Sequence, residues 1–404
     1  MTDRIVIVGA GQAAAQAAQS LRGEGFAGPV TIIGDEPHPP YQRPPLSKKF
    51  LAGELSREQL LLRRPEHLAA AGVELRQNTR VETIDRKAKS VRLSGGATLG
   101  YAQLLIATGS RVRKVNFPGS DLPGIFYIRT IADVEAVRGR FKNGARLVVV
   151  GGGYIGLEVA AVAVKHGLSV TVLELAERVM QRVVCAPISE FYERVHKEAG
   201  VALRTRVPVE GFEGGGKVTG VRAGGATIPA DLVIVGVGIE PNVELARDAG
   251  LGLDNGIAVD EMARTSDPAI FAAGDCTSQV YVGLGRRVRL ESVQNAIDQA
   301  KIAAAAIAGK PMPHLDVPWF WSDQYDLKLQ IAGLAEPSDE CVLRGDPSTR
   351  KFAVFRLRQG VIAAVEAVNA VPEFMIGKKL IAGRAAIAPA KLADLSLPMK
   401  SFAP

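Results

Sequence analysis

Arg4-Ile5-Val6-Ile7-Val8-Gly9-Ala10-Gly11 and, 142 residues further on, Arg146-Leu147-Val148-Val149-Val150-Gly151-Gly152-Gly153 are one device written twice. Each is a short aliphatic run that breaks into glycines. Each leads into a helical pattern, Gln12 to Arg22 and Tyr154 to His166. A second apolar run ending in acid follows: Val30-Thr31-Ile32-Ile33-Gly34-Asp35 and Val170-Thr171-Val172-Leu173-Glu174. Strand, glycine turn, helix, strand, acid, repeated, predicts two parallel βαβ units and an α/β fold.

The glycines carry chemistry. The first makes the tight turn, the second lets the backbone approach a pyrophosphate, and the third lets helix pack on strand. Free N–H groups at the helix N-terminus, with about half a positive charge, then meet the phosphates. The first copy, Gly9-Ala10-Gly11-Gln12-Ala13-Ala14, has alanine in third place. The second, Gly151-Gly152-Gly153-Tyr154-Ile155-Gly156, is complete. Asp35 stands 26 residues after Gly9 and Glu174 stands 23 after Gly151, where an acid holds ribose hydroxyls. Two ordinary βα turns would be the plain alternative, and the matching acids argue against it. Two Rossmann-type sites in one chain point to one redox cofactor handing electrons to another: a flavin that stays and a nicotinamide that comes and goes.

Length and composition agree. At about 150 residues per domain, 404 residues predict two or three domains. A 47% hydrophobic and 23% charged chain can bury a large core and is not disordered. No run of 18 apolar residues predicts a membrane span. The stretch Ile5 to Leu21 fails as a secretory leader, because Met1-Thr2-Asp3-Arg4 has no net positive side-chain charge and Gly9, Gln12, Gln16 and Gln19 interrupt it. Three cysteines far apart (Cys185, Cys276, Cys341) make no disulfide framework, which predicts a reducing cytoplasm. The net charge of +7 suits an acidic partner or a phosphate-rich ligand, and charge alone does not choose between those and nucleic acid.

Further along, Leu104 to Ser110 and Leu232 to Gly238 read as strands closing the two units, and Ala269 to Asp275 as a buried strand ending in a glycine-acid turn. Glu291 to Ile307 is helical by pattern. From Trp319 the texture becomes alternating strands, Lys328 to Ala332, Lys351 to Leu357 and Val361 to Ala367, predicting a C-terminal α+β domain from 319 to 404.

With these motifs in hand, the chain resembles the FAD-dependent ferredoxin reductases of bacterial oxygenase and cytochrome P450 systems along essentially its whole length. The most specific marker is Pro39-Pro40-Tyr41-Gln42-Arg43-Pro44-Pro45-Leu46-Ser47-Lys48. Ala107-Thr108-Gly109, Ala272-Ala273-Gly274-Asp275, Glu291-Ser292-Val293-Gln294-Asn295-Ala296 and Trp319-Phe320-Trp321-Ser322-Asp323-Gln324 support it. The resemblance implies a glutathione-reductase-like fold, with a discontinuous FAD domain over 1–112 and 242–318 and an NAD domain over 113–241. It places the FAD adenosine at Gly9, Gly11, Ala13, Ala14 and Asp35, with Glu36 the alternative ribose acid. Arg43, Pro44, Pro45 and Lys48 would line the isoalloxazine. Val81 would reach the adenine, and Ala107, Thr108, Gly109, Arg129 and Gly274 would help hold the cofactor. Asp275 would bind the ribityl chain, and Val293 and Trp321 would lie by the ring. Singly, Pro44-Pro45 could be a rigid loop, Asp275 a helix cap and Trp321 a packing anchor.

Lys48 and Glu158 are the residues expected to tune the reaction. Glu158 lies two residues after Gly156 and can point at the cofactor. A buried lysine and a buried glutamate each cost too much to desolvate alone, so pairing is expected; a solvated lysine and a surface glutamate would be the bland alternative. Gly151, Gly153, Tyr154, Ile155, Gly156 and Glu174 form the nicotinamide turn, with Tyr154 either a gate or a packing residue. Glu174 would repel a 2′-phosphate, favouring NADH, although Arg178 and Arg182 follow closely.

Absences define the reaction type. Arg43 to Phe50 holds no cysteine and no Cys-x-x-Cys occurs, so a flavin here would unload directly, and Cys276 reads as an inert buried thiol. The histidines His38, His67, His166, His196 and His314 lack ligand spacing, so no metal is expected. The expected function is transfer of electrons from NADH through FAD to an acidic [2Fe-2S] ferredoxin. Lys378, Lys379, Arg384 and Lys391 are either a docking patch or a solvated face. A rubredoxin or nitrite-system reductase keeps the fold and changes the acceptor. A flavoprotein similar to apoptosis-inducing factor would instead bind partners, including nucleic acid, but the basic residues here are interspersed with acids.

Overall fold

The computed structural model describes residues 3–281, 284–310, 312 and 317–403. His314 and the leader residues Met1 and Thr2 lie outside them. The chain gathers into two units, Met1–Gln42 with Arg57–Arg111 and Glu240–Pro318, and Arg43–Ser56 with Val112–Ile239 and Trp319–Pro404.

In the first unit the strand Ile5–Val8 is buried on both faces, as a parallel sheet covered by helices requires. It lies between Val30–Ile33 and Gln103–Ile106; Ile270–Ala272 and Val73–Arg76 complete a five-stranded parallel sheet. The helix Gln12–Gly23 buries Ala13, Ala14, Ala17, Ala18 and Leu21. Its small face packs on Ala300, Ala303 and Ala304 of the helix Val293–Ile307, in the same core cluster. Alanine on both helices lets the backbones close up at interior packing density. That second helix begins at Val293 rather than Glu291, because the Ser292 hydroxyl accepts from the Asn295 N–H at 3.1 Å and ends the extended segment there.

The second unit repeats the device. Arg146–Val150 lies between Ser169–Leu173 and Leu232–Val235, all parallel, with Ala202–Arg204 and Ile125–Phe126 at the edges. The helix Tyr154–Lys165 follows the first strand. The C-terminal segment forms a five-stranded antiparallel sheet in the order Trp319–Gln324, Leu327–Gly333, Val361–Val368, Lys351–Arg358, Glu340–Asp346. The helix Val371–Ala382 lies against that sheet, with Gly377 facing Val365; a Cβ on Gly377 would stand 2.7 Å from the Val365 side chain. Among the described residues no helix is long and apolar enough to cross a membrane.

Candidate functional site

The positions within each glycine turn differ in backbone conformation and surroundings. At the first, Gly9 has φ +111°, and a Cβ there would stand 2.2 Å from the carbonyl oxygen of Ala107. At the second, Gly151 has φ +105°, and a Cβ would stand 2.4 Å from the Gly236 oxygen. A Cβ on Gly156 would meet the Gly151 oxygen at 2.1 Å, whereas Ala14 takes that place in the first copy and is fully buried. The middle glycines differ from these. Gly11 and Gly153 have ordinary negative φ, cap their helices, and have nothing within 4 Å of a built Cβ. Each therefore faces an open cradle that a side chain would fill, beside free N–H groups, and this suits a pyrophosphate.

The remaining residues of the expected FAD site in the first unit take these places. Asp35 is exposed, and the Glu36 carboxylate accepts the Tyr41 hydroxyl at 2.6 Å. Val81 and Ala107 are buried. The Thr108 hydroxyl donates to the Asn242 carbonyl at 2.8 Å, and the Asn242 amide returns a bond to the Thr108 carbonyl at 2.9 Å, fixing the turn that Gly109 completes at φ +62°. Gly274, at φ +87°, presents Asp275, whose carboxylate accepts the Ser110 hydroxyl at 2.8 Å. Val293 opens its helix, half-buried. Gln299 was not foreseen; its side-chain oxygen accepts from Gly274 N–H and Thr277 hydroxyl, both at 2.8 Å, and so holds the Gly274-Asp275 turn.

Arg43, Pro44, Pro45, Lys48, Arg129 and Trp321 fall in the second unit. Pro44–Ser47 is a single 3₁₀ turn that the two prolines preset. The Arg43 guanidinium donates to the Arg129 carbonyl at 2.7 Å. Tyr154 begins its helix with its ring 4.6 Å from Phe320, and Trp321 lies 5.5 Å from Trp319. Burial, with Glu366 and Tyr192 nearby, holds the Tyr154 phenol well above its ordinary value. Ile155 is exposed beside it.

Lys48 and Glu158 meet. The Lys48 ammonium stands 2.7 Å from Glu158 Oε2, with the two side chains 16% and 4% exposed. Two hydroxyls complete the carboxylate: Ser47 donates to Oε2 at 2.5 Å and Ser322 to Oε1 at 2.6 Å. A buried charge pair of this kind is sustained by extra hydrogen bonds to its remaining lone pairs. Neither serine was singled out, although both sit inside the quoted motifs.

Glu174 is pinned at the second glycine turn. Its carboxylate accepts from Gly152 N–H and from Ala176 N–H, both at 2.7 Å. Arg178 is committed elsewhere, donating to Ser189 at 2.6 Å and the Val184 carbonyl at 2.9 Å; Arg182 is exposed. Cys185 and Cys276 are buried, and burial pushes both thiols up; Cys341 is exposed. Lys378 and Lys379 ride on the helix Val371–Ala382, with Arg384 beyond its end and Lys391 on the helix Pro389–Ala393.

Known proteins supply the context for this geometry. Residues 3–300 match the family model described as pyridine nucleotide-disulphide oxidoreductase, and residues 319–403 match the reductase C-terminal model. Putidaredoxin reductase of Pseudomonas putida is 44% identical, over 99% of this chain and 96% of its own. Rhodocoxin reductase of Rhodococcus erythropolis is 42% identical, over 98% of this chain and 93% of its own. Among solved structures, the covalent putidaredoxin reductase–putidaredoxin complex matches with a TM-score of 0.96 at 43% identity, over 99% of this chain and 98% of that one. The ferredoxin reductase for the CYP199A2 system from Rhodopseudomonas palustris matches with a TM-score of 0.97 at 41% identity, over the whole of both chains. The chain therefore belongs to the pyridine nucleotide-disulphide oxidoreductase family, among its ferredoxin reductases, as an oxidoreductase that uses FAD and NAD(H).

Proposed function

We propose that the protein oxidises NADH and delivers the electrons singly to a [2Fe-2S] ferredoxin serving a cytochrome P450 or another oxygenase, in the cytoplasm. The observation that carries this reading is the pair of open glycine turns, each followed by an acid, in a chain whose Arg43 to Phe50 turn holds no cysteine. The net reaction is NADH giving NAD⁺, one proton and two electrons, with one electron to each of two ferredoxins. Bound FAD supplies the conversion from a two-electron donor to a one-electron acceptor.

The chain's own residues hold and orient. In this reading Gly9, Gly11 and Asp35 seat the FAD pyrophosphate and ribose, with Thr108 and Asp275 on the remaining length. Gly153 and the helix N-terminus behind it seat the nicotinamide dinucleotide. Lys48, held by Glu158, offers a fixed cation rather than a mobile one, and such preorganised charge needs no rearrangement during the reaction. Trp321 and the basic residues Lys378, Lys379, Arg384 and Lys391 belong to the acceptor side, where a positive surface would steer an acidic carrier.

Coenzyme choice follows from Glu174. Its carboxylate, tied to two backbone N–H groups, cannot swing away from a 2′-phosphate, and Arg178 is turned to other partners. We expect kcat/KM for NADH to exceed that for NADPH by about a hundredfold or more, corresponding to roughly 3 kcal/mol. Steady-state measurement with both coenzymes checks it, and near-equal values would remove Glu174 from the role. For the function itself, the purified yellow protein is supplied with NADH and a panel of [2Fe-2S] ferredoxins and a rubredoxin, with cytochrome c as final acceptor. Reduction only through a [2Fe-2S] ferredoxin supports the reading. Reduction only through rubredoxin, or through neither, overturns it.

A further inference from the structure

A line of side chains leads away from Glu158 through the second unit. Glu158 Oε1 accepts from Ser322 Oγ at 2.6 Å, and Ser322 Oγ lies 3.2 Å from Gln324 Nε2. Gln324 Oε1 lies 2.9 Å from His196 Nε2, and His196 Nδ1 lies 3.0 Å from the Tyr325 hydroxyl. Ser322, Gln324 and His196 are at most 1% exposed, while Tyr325 is 38% exposed. The line thus runs from a surface phenol to a buried carboxylate.

The direction of every bond follows from the carboxylate end. A carboxylate in an ion pair only accepts, so Ser322 donates its one hydrogen to Glu158. The Ser322 oxygen then accepts from the Gln324 amide nitrogen, which turns the amide oxygen toward His196. That oxygen requires N–H at Nε2, leaving Nδ1 bare to accept the Tyr325 hydroxyl. Burial pushes the His196 imidazole down to about 4, against the opposing pull of its Gln324 bond, so the ring stays neutral at working pH and keeps its bare nitrogen. Among the described residues, Lys48 from the proline turn pairs with Glu158, and Tyr154 on its own helix and Tyr192 on the helix Ala186–Glu198 lie within its electrostatic reach. Burial raises both phenols, so neither competes as a base.

The surface end lies in a tight hairpin turn. Tyr325 and Asp326 form a two-residue loop between the paired Gln324 and Leu327, and Tyr325 sits there at φ +56°. Glycine or asparagine takes such a conformation at less cost, and a bulky residue there is an outlier. What the tyrosine adds is its ring, 5.0 Å from that of His196, and its hydroxyl.

We propose that Ser322, Gln324, His196 and Tyr325 are positioning residues, whose one-way line of hydrogen bonds aims a hydroxyl at Glu158 and fixes that carboxylate against Lys48. The proposal rests on the reading of Lys48 and Glu158 as the groups that tune the flavin. Without Gln324 the Ser322 hydroxyl is a free rotor, and the carboxylate loses its only fixed donor on Oε1 among the hydrogen bonds described.

The test has two arms. Nitrogen NMR of the histidine-labelled holoprotein is expected to show His196 as the neutral Nε2–H tautomer from about pH 8 down to about pH 5, assigned by its loss in His196→Gln. In stopped flow, Gln324→Leu and His196→Leu are expected to lower the limiting rate of flavin reduction by roughly fivefold to tenfold at unchanged NADH affinity. His196→Gln, whose amide nitrogen reaches the place of Nε2, recovers most of that loss, and bound FAD content reports folding in each variant. An Nδ1–H tautomer, or equal rates for leucine and glutamine at 196, overturns the positioning line while leaving Lys48 and Glu158 in place. If Lys48→Met also leaves the rate unchanged, the reading beneath fails with it.

Discussion

Replacing Lys48 by methionine is expected to slow reduction of the bound flavin by NADH about a hundredfold, while the protein stays yellow. The size follows from removing one preorganised charged donor from a site largely closed to water. The Lys48 side chain is 16% exposed and stands 2.7 Å from Glu158. The fold survives because Glu158 keeps the Ser47 and Ser322 hydroxyls, so the carboxylate left behind is not bare. Methionine matches the lysine stem in length, so packing around the stem persists. A single-turnover experiment in excess NADH reads the rate directly, and a rate equal to that of the unaltered protein would remove Lys48 from the reaction.

The glycines of the second turn should separate binding from folding. Gly153→Val adds a side chain where nothing lies within 4 Å, at a backbone conformation any residue adopts. It is expected to fold, keep FAD and lose affinity for NADH by about a hundredfold or more, because the phosphates can no longer reach the N–H groups. Gly156→Val instead drives a Cβ to 2.1 Å from a backbone oxygen that cannot move aside cheaply. It is expected to destabilise the second unit by about 3 kcal/mol or more. Urea unfolding and NADH titration of the two variants check the division. A Gly153→Val protein with normal NADH affinity would show that the phosphates lie elsewhere.

What the sequence discloses and what it hides have physical causes. The glycine turns are legible because a positive φ and a close backbone approach leave little choice of residue, as at Gly9 and Gly151. The pairing of Lys48 with Glu158 is legible from cost, since neither charge buries well alone. The third glycine of the first turn is alanine, and the fully buried Ala14 shows that this helix tolerates a methyl where Gly156 does not. Ser322 and Glu158 are 164 residues apart, His196 and Gln324 are 128 apart, and no periodicity reports a hydrogen bond across such a span. Arg178 looked available to a phosphate by proximity in sequence, but its guanidinium closes a local loop onto Ser189 and Val184. Nothing in the composition of Arg43–Ser56 marks it as a companion of Val112–Ile239, because the contacts between them, such as Lys48 with Glu158 and Lys165 with Glu54, join residues far apart in sequence.

The gathering of donors on one carboxylate bears on how the protein is made. Translation proceeds at about 5–20 residues per second, so Ser322 leaves the ribosome roughly 10–30 s after Glu158. Throughout that interval the nascent βαβ layer carries an acid whose last hydroxyl does not yet exist, and a premature stop before the final sheet would leave it so. The completed knot at Glu158 therefore records that synthesis has passed residue 322, and an unfinished chain lacks the internal latch a finished one closes.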